Sequence, residues 1–80
     1  MKGRITMFDK IKEILVDELQ IKESDITLEA ELVNDLGINS LELADLIMVF
    51  EEQFDLEISE NDIRKFLTVG DIVNYLSDKT

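Results

Sequence analysis

Apolar residues recur in this chain with the period of an α-helix, and they do so in separate segments. In the first segment, one arc of about 120° holds five apolar side chains when successive residues are placed about 100° apart: Met7, Phe8, Ile11, Leu15 and Leu19. Thr6 precedes them as an N-cap, and Asp9 complements the free backbone N–H groups and the helix dipole. The pattern predicts an amphipathic helix that begins after Thr6.

A second helical segment follows Gly37, where Asn39 and Glu42 have the spacing of a capping box. We predict a helix from about Ser40 to Phe54, whose core-facing arc of roughly 100° contains Leu43, Leu46, Ile47, Phe50 and Phe54. Three more apolar residues form a separate stripe among acidic side chains: Leu41, Ala44 and Met48. The pattern alone leaves open whether this helix lies at the centre of a bundle with the stripe buried.

One short helix and then a last, longer helix are expected after it. Ser59 is the N-cap of a short helix whose buried side consists of Ile63, Phe66 and Leu67. A last helix begins after Thr68 and places four residues on one face: Val69, Ile72, Val73 and Leu76. Residues 55–58 alternate like a strand, but four residues without a partner do not make a sheet.

A long segment between Gln20 and Ile38 lacks helical periodicity. Loops of this length in compact domains are functional or are packed down by their own side chains. We expect six apolar residues to anchor it: Ile21, Ile26, Leu28, Leu32, Leu36 and Ile38. The predicted fold class is therefore all-α, a small bundle of three longer helices plus one short helix, with a long ordered loop between the first two.

Composition limits the chemistry of this bundle. The 80 residues carry 8 Lys and Arg against 19 Asp and Glu, a net charge of −11, with no His and no Cys. Such a chain has no Ser-His or Cys-His nucleophilic pair, no His or Cys zinc site and no disulfide. Its acidity opposes nucleic acids and anionic lipids and favours basic protein partners. We expect no resident metal, although Glu51, Glu52, Asp55 and Glu57 could attract divalent cations weakly.

Length and hydropathy bear on organisation and location. We expect one domain over residues 1–80 with its core at about 6–77. Met1–Arg4 lead into amphipathic sequence, and no apolar run approaches the length of a membrane span. We therefore expect a cytoplasmic monomer.

A family resemblance centres on Ser40. Residues 35–43 read D-L-G-I-N-S-L-E-L, which closely resembles the D-L-G-x-D-S-L-[DE] signature of acyl carrier proteins. The similarity continues through E-E-Q-F-D at residues 51–55, Glu57–Ile58 and T-V-G-D-I at residues 68–72, and it covers about residues 6–77. In that family the serine of the signature carries 4′-phosphopantetheine, so the resemblance implies that Ser40 is the attachment point.

The resemblance also implies a mode of action. A phosphopantetheinyl transferase modifies the serine, and the thiol of the arm carries acyl groups as thioesters to synthase and acyl-transfer enzymes of fatty-acid, polyketide or related lipid biosynthesis. The carrier itself is not an enzyme, because the reactive sulfur arrives with the cofactor. Acyl chains in the family retreat into the bundle, which points to a pocket lined by Leu43, Ile47 and Phe50. The implied docking surface for basic patches on partners comprises Asn39, Leu41, Glu42, Ala44, Asp45, Met48 and Glu52.

The signature differs from the family pattern at Asn39, where the family usually has Asp. Asn caps a helix as well as Asp does, so we expect this change to alter recognition and not folding, as in a carrier dedicated to a specialised pathway. An aminoacyl or peptidyl carrier and an unmodified acidic helical adaptor are the alternative functions. Catalysis by paired carboxylates is a third, although a bundle this small offers little room for the cleft that it needs.

Overall fold

The computed structural model describes residues 5–80, and in that part of the chain it has four α-helices and no strand. The helices are α1 (Met7–Leu19), α2 (Ser40–Phe54), α3 (Glu60–Ile63) and α4 (Val69–Lys79). These bounds confirm the predicted all-α class with three longer helices and one short helix. The first four residues of the predicted domain lie outside the described residues.

Each long helix begins at a reciprocal capping box. The sequence predicted this box for α2, whereas for α1 and α4 it predicted only the N-cap residue. The cap side chain accepts a hydrogen bond from the backbone N–H of the third helical residue, whose carboxylate accepts one from the cap backbone, in three pairs: Thr6 with Asp9, Asn39 with Glu42, and Thr68 with Asp71. The backbone N–H of Thr6 lowers the pKa of Asp9. The pKa of Asp71 is lowered because its carboxylate accepts hydrogen bonds from two backbone N–H groups. That of Leu67 has the larger effect and that of Thr68 the smaller.

The core lies where α1 packs against α2 and α4. Its centre is formed by side chains from the predicted faces of these three helices: Ile11, Leu15, Leu46, Ile47, Phe50, Val69, Ile72 and Leu76. The stripe on the other side of α2 is exposed, with 79 % of Leu41 and 63 % of Met48 open to solvent. The alternative in which α2 is central and buries this stripe is therefore wrong.

The long loop is held down as expected at most of its anchors. Ile26, Leu32 and Ile38 are buried, whereas Ile21 and Leu36 are half-buried. A turn of 3₁₀-helix at Glu23–Asp25, which the sequence did not predict, interrupts the loop.

The prediction for Leu28 is wrong, since 46 % of this side chain is exposed. Its backbone has the structural role instead: the Leu28 carbonyl accepts a hydrogen bond of 2.9 Å from the Gly70 N–H. A Cβ atom on Gly70 would lie only 3.0 Å from that carbonyl oxygen, so a glycine permits this close approach. The neighbouring Ala30 supplies the buried contact that we assigned to Leu28.

The prediction for the buried side of α3 is partly wrong. Ile63 and Phe66 are half-buried and pack against the core, but 60 % of Leu67 is exposed. Helix α3 ends at Ile63, so the helical register does not extend to Leu67. The Leu67 N–H donates to the Asp71 carboxylate, and the Leu67 carbonyl accepts from the Leu32 N–H. Leu67 is therefore held by its backbone, while its side chain remains exposed.

Candidate functional site

Ser40 is held at the surface by the residues that precede it. Gly37 has a φ of 68°, a left-handed conformation that costs glycine little and other residues more. Ile38 follows with only 2 % of its surface exposed, and its N–H donates to the Leu32 carbonyl at 2.9 Å. Because the turn and the buried isoleucine fix the chain, Ser40 projects into solvent as the first residue of α2.

The start of α2 suits a phosphate group on Ser40. The Asn39 side chain accepts from the Glu42 N–H at 2.8 Å, which leaves the backbone N–H groups of Ser40 and Leu41 without an acceptor inside the helix. These groups and the positive end of the helix dipole favour a bound anion. An exposed hydroxyl beside such donors fits the phosphodiester of a phosphopantetheine arm.

A groove of about 560 Å³ runs from Ser40 between α2 and α3. Its walls are mostly apolar, with one acidic and one basic side chain, and its lining consists of Ser40, Leu43, Ala44, Glu60, Ile63, Arg64 and Phe66. Leu43 therefore lines an open groove, whereas the resemblance implied a pocket inside the bundle. Ile47 and Phe50 do not line it, because both are buried in the core.

Comparison with known proteins decides the family. Residues 9–76 match the family described as "Phosphopantetheine attachment site". A protein named "Acyl carrier protein" from Clostridium perfringens (strain SM101 / Type A) is 46% identical over 74 residues, which are 92% of this chain and 97% of that protein. The chain belongs to the acyl carrier protein family. The acyl carrier protein of Thermotoga maritima is 44% identical over 79 residues, 99% of this chain and 98% of that protein.

Membership in this family confirms the predicted cofactor, 4′-phosphopantetheine, because the matching domain is its attachment site. In the acyl carrier fold described above, the signature residues 35–43 form the turn and the first helical residues around Ser40. None of the helices within residues 5–80 combines the length and apolar character of a membrane span.

Most of the predicted docking residues share one exposed face of α2. Successive residues placed about 100° apart put five of them within one arc of roughly 100°: Leu41, Ala44, Asp45, Met48 and Glu52. All five are exposed; two are acidic and three are apolar. We call this surface the acidic face of α2, after its two carboxylates. Asn39 and Glu42 lie outside this arc and bond to each other in the capping box, with a distance of 3.1 Å from the Asn39 N–H to a Glu42 oxygen.

The sequence analysis did not single out Arg64, which lines the groove together with Ser40. The sequence does mark Arg64 by its charge: residues 23–63 contain no Lys or Arg, and Arg64 is the first basic residue after them. Its place in the same groove as Ser40 depends on where α3 lies relative to α2, which periodicity does not reveal.

Proposed function

We propose that this acyl carrier protein bears 4′-phosphopantetheine on Ser40 and carries acyl groups as thioesters on the thiol of that arm. The observation that carries the proposal is the exposed Ser40 hydroxyl at the start of α2, beside free backbone donors and a largely apolar groove. In the modification, the Ser40 oxygen loses its proton and forms a bond to the coenzyme A phosphorus that bears the pantetheine. The P–O bond of the diphosphate breaks, and adenosine 3′,5′-bisphosphate leaves. The protein contributes no catalytic residue to later acyl transfer, because the arm supplies the sulfur.

The experiment is an intact-mass measurement after incubation with coenzyme A, Mg²⁺ and a phosphopantetheinyl transferase of broad specificity. We expect one phosphopantetheine on the wild type and none on Ser40→Ala. Ser77→Ala, which removes an exposed hydroxyl on α4, is the matched control and should be modified like the wild type. Modification of Ser40→Ala would overturn the assignment, and a lack of modification in all three proteins would favour an unmodified adaptor.

The groove between α2 and α3 supports the second part of the proposal, the sheltering of the acyl chain. Leu43, Ile63 and Phe66 give it an apolar wall that begins at the attachment point. An acyl chain that enters the groove removes apolar surface from water, which stabilises the loaded form by about 0.8 kcal/mol for each fully buried methylene. The class of acyl group and the pathway, whether fatty-acid, polyketide or another lipid, belong to the proposal as alternatives for this single site.

The acidic face of α2 is the proposed docking surface for the transferase and for synthase enzymes with basic patches. Asp45 and Glu52 supply charge, while Leu41 and Met48 supply an exposed apolar contact beside them. Exposed charges steer association more than they anchor the complex, so their effect is on the association rate and falls with salt.

Charge reversal tests this surface. Asp45→Lys or Glu52→Lys should slow association with the transferase by about threefold to tenfold at low ionic strength. Glu18→Lys reverses an exposed charge on α1 and serves as the control. Equal association rates for all three variants, measured by stopped-flow or surface binding, would place the docking surface elsewhere.

A further inference from the structure

Arg64 is the basic residue that lines the groove containing Ser40. It is exposed. Within residues 5–80, the ion pair that closes to 4 Å or less is Lys12 with Glu23, so no described carboxylate holds the Arg64 guanidinium. A cation that the protein itself does not pair is available to an anion that enters the groove.

The groove is lined by Arg64 and by the first residues of α2 together. On α2 its lining is limited to Ser40, Leu43 and Ala44, which span about 6 Å of helix at 1.5 Å per residue. Arg64 lines the same groove from the side of α3. The phosphodiester of the arm is bonded directly to the Ser40 oxygen and must stay at this end, whereas the thiol end is free to move away.

We propose that the Arg64 guanidinium binds the phosphodiester of the phosphopantetheine on Ser40 and thereby directs the arm along the groove. This inference rests on Ser40 as the attachment residue. A guanidinium donates two parallel hydrogen bonds to phosphate oxygens, and the free N–H groups of α2 contact the same anion from the other side. Arg64 also offsets the carboxylate of Glu60 in the groove, which would otherwise repel the phosphodiester. Arg64 is thus a positioning residue for the arm.

The test compares the apo and modified forms of the wild type, Arg64→Gln and Lys65→Gln. Lys65 is the adjacent exposed basic residue and does not line the groove, so its replacement is the charge-matched control. Phosphorus NMR of the modified proteins should show a shifted phosphodiester resonance for Arg64→Gln and an unchanged one for Lys65→Gln. Modification should raise the melting temperature of the wild type and of Lys65→Gln by about 2 °C more than that of Arg64→Gln.

The outcomes separate this inference from the proposed function. Equal phosphorus shifts and equal gains in melting temperature for all three modified proteins would overturn the role of Arg64 while leaving Ser40 as the attachment site. A slower modification of Arg64→Gln with unchanged spectra of the product would also overturn it, because Arg64 would then serve the transferase. If intact mass showed no phosphopantetheine on any of the three proteins, the proposed function itself would fail.

Discussion

Asn39 caps α2 and lies next to Ser40, so its role in helix capping can be tested separately from its role in recognition by the transferase. Its side-chain oxygen accepts the Glu42 N–H, and its own N–H donates to the Glu42 carboxylate. A carboxylate at this position would accept the same hydrogen bond and would add one negative charge next to Ser40. The structure therefore requires a capping side chain at residue 39 but does not require it to be neutral.

We predict that Asn39→Asp changes the free energy of unfolding by less than about 0.5 kcal/mol, because Asn and Asp are nearly equivalent caps. A transferase that serves fatty-acid carriers should modify the variant faster, because the new carboxylate at residue 39 gives the basic surface of the transferase one more negative charge to contact. Asn74→Asp adds the same charge at an exposed position on α4 and should leave the rate unchanged. Identical rates for Asn39→Asp and the wild type at low salt would make Asn39 a neutral variation.

Among the helical elements, α3 depends most on its neighbours. It has four residues, capped by a hydrogen bond of 3.2 Å from the Asp62 N–H to the Ser59 hydroxyl. The Tyr75 hydroxyl on α4 donates to an Asp62 carboxylate oxygen at 2.9 Å. The Tyr75 ring also meets the Phe66 ring edge-on, with centroids 5.3 Å apart. These contacts hold in place the wall of the groove opposite α2.

The Tyr75 hydroxyl reports on this connection. Burial raises its pKa above 10.0, and the hydrogen bond and charge of Asp62 raise it further. Because the pKa of Tyr75 is higher in the folded state than in the unfolded state, the protonated hydroxyl contributes fully to the free energy of unfolding below pH 10.0. This contribution is lost as the pH rises through the pKa of Tyr75 in the folded state. We expect Asp62→Asn to lower the pKa of Tyr75 and Glu60→Gln to change it less.

Ultraviolet absorbance measures this titration directly, because the chain has 1 Tyr and no Trp. Tyr75→Phe should lower the free energy of unfolding at neutral pH by about 1 kcal/mol through the lost hydrogen bond. A Tyr75 titration that Asp62→Asn leaves unchanged would show that the connection between α3 and α4 does not form in solution.

Across the whole molecule, charge acts over distances comparable to the fold. The protein measures 39 × 26 × 20 Å and has a net charge of −11. The Debye length falls from about 30 Å at ~0.01 M salt to about 8 Å at ~0.15 M. At low salt the excess negative charges therefore repel one another across the whole molecule, whereas at higher salt this repulsion acts only between neighbouring charges.

We predict that NaCl raises the melting temperature over this range, because it weakens a repulsion that opposes the compact state. Glu29→Lys changes an exposed residue and makes the net charge less negative by two units, so its melting temperature should respond less to salt. Mg²⁺ and Na⁺ are then compared at equal ionic strength. A higher melting temperature in Mg²⁺ indicates that the acidic residues bind the cation, whereas equal melting temperatures indicate screening alone. A melting temperature that does not depend on NaCl would contradict this account.

The sequence alone determined the features that depend on local chemistry. Helix starts follow from the capping pairs, and the core faces of α1, α2 and α4 follow from apolar periodicity, because both depend on residues a few positions apart. The attachment role of Ser40 has a different basis: it is a prediction from the resemblance of the contiguous residues 35–43 to the acyl carrier signature.

Only the tertiary structure decided where distant segments meet. Leu28 and Leu67 are apolar, yet their backbone groups pair with Gly70 and Leu32 and their side chains remain exposed. The stripe containing Leu41 is exposed because α1 packs against the other side of α2, and helical periodicity leaves open which side is covered. The groove that joins Arg64 to Ser40 likewise depends on the packing of α3. These contacts join residues far apart in sequence, and their geometry depends on how the whole chain satisfies its backbone hydrogen bonds and buries its apolar surface.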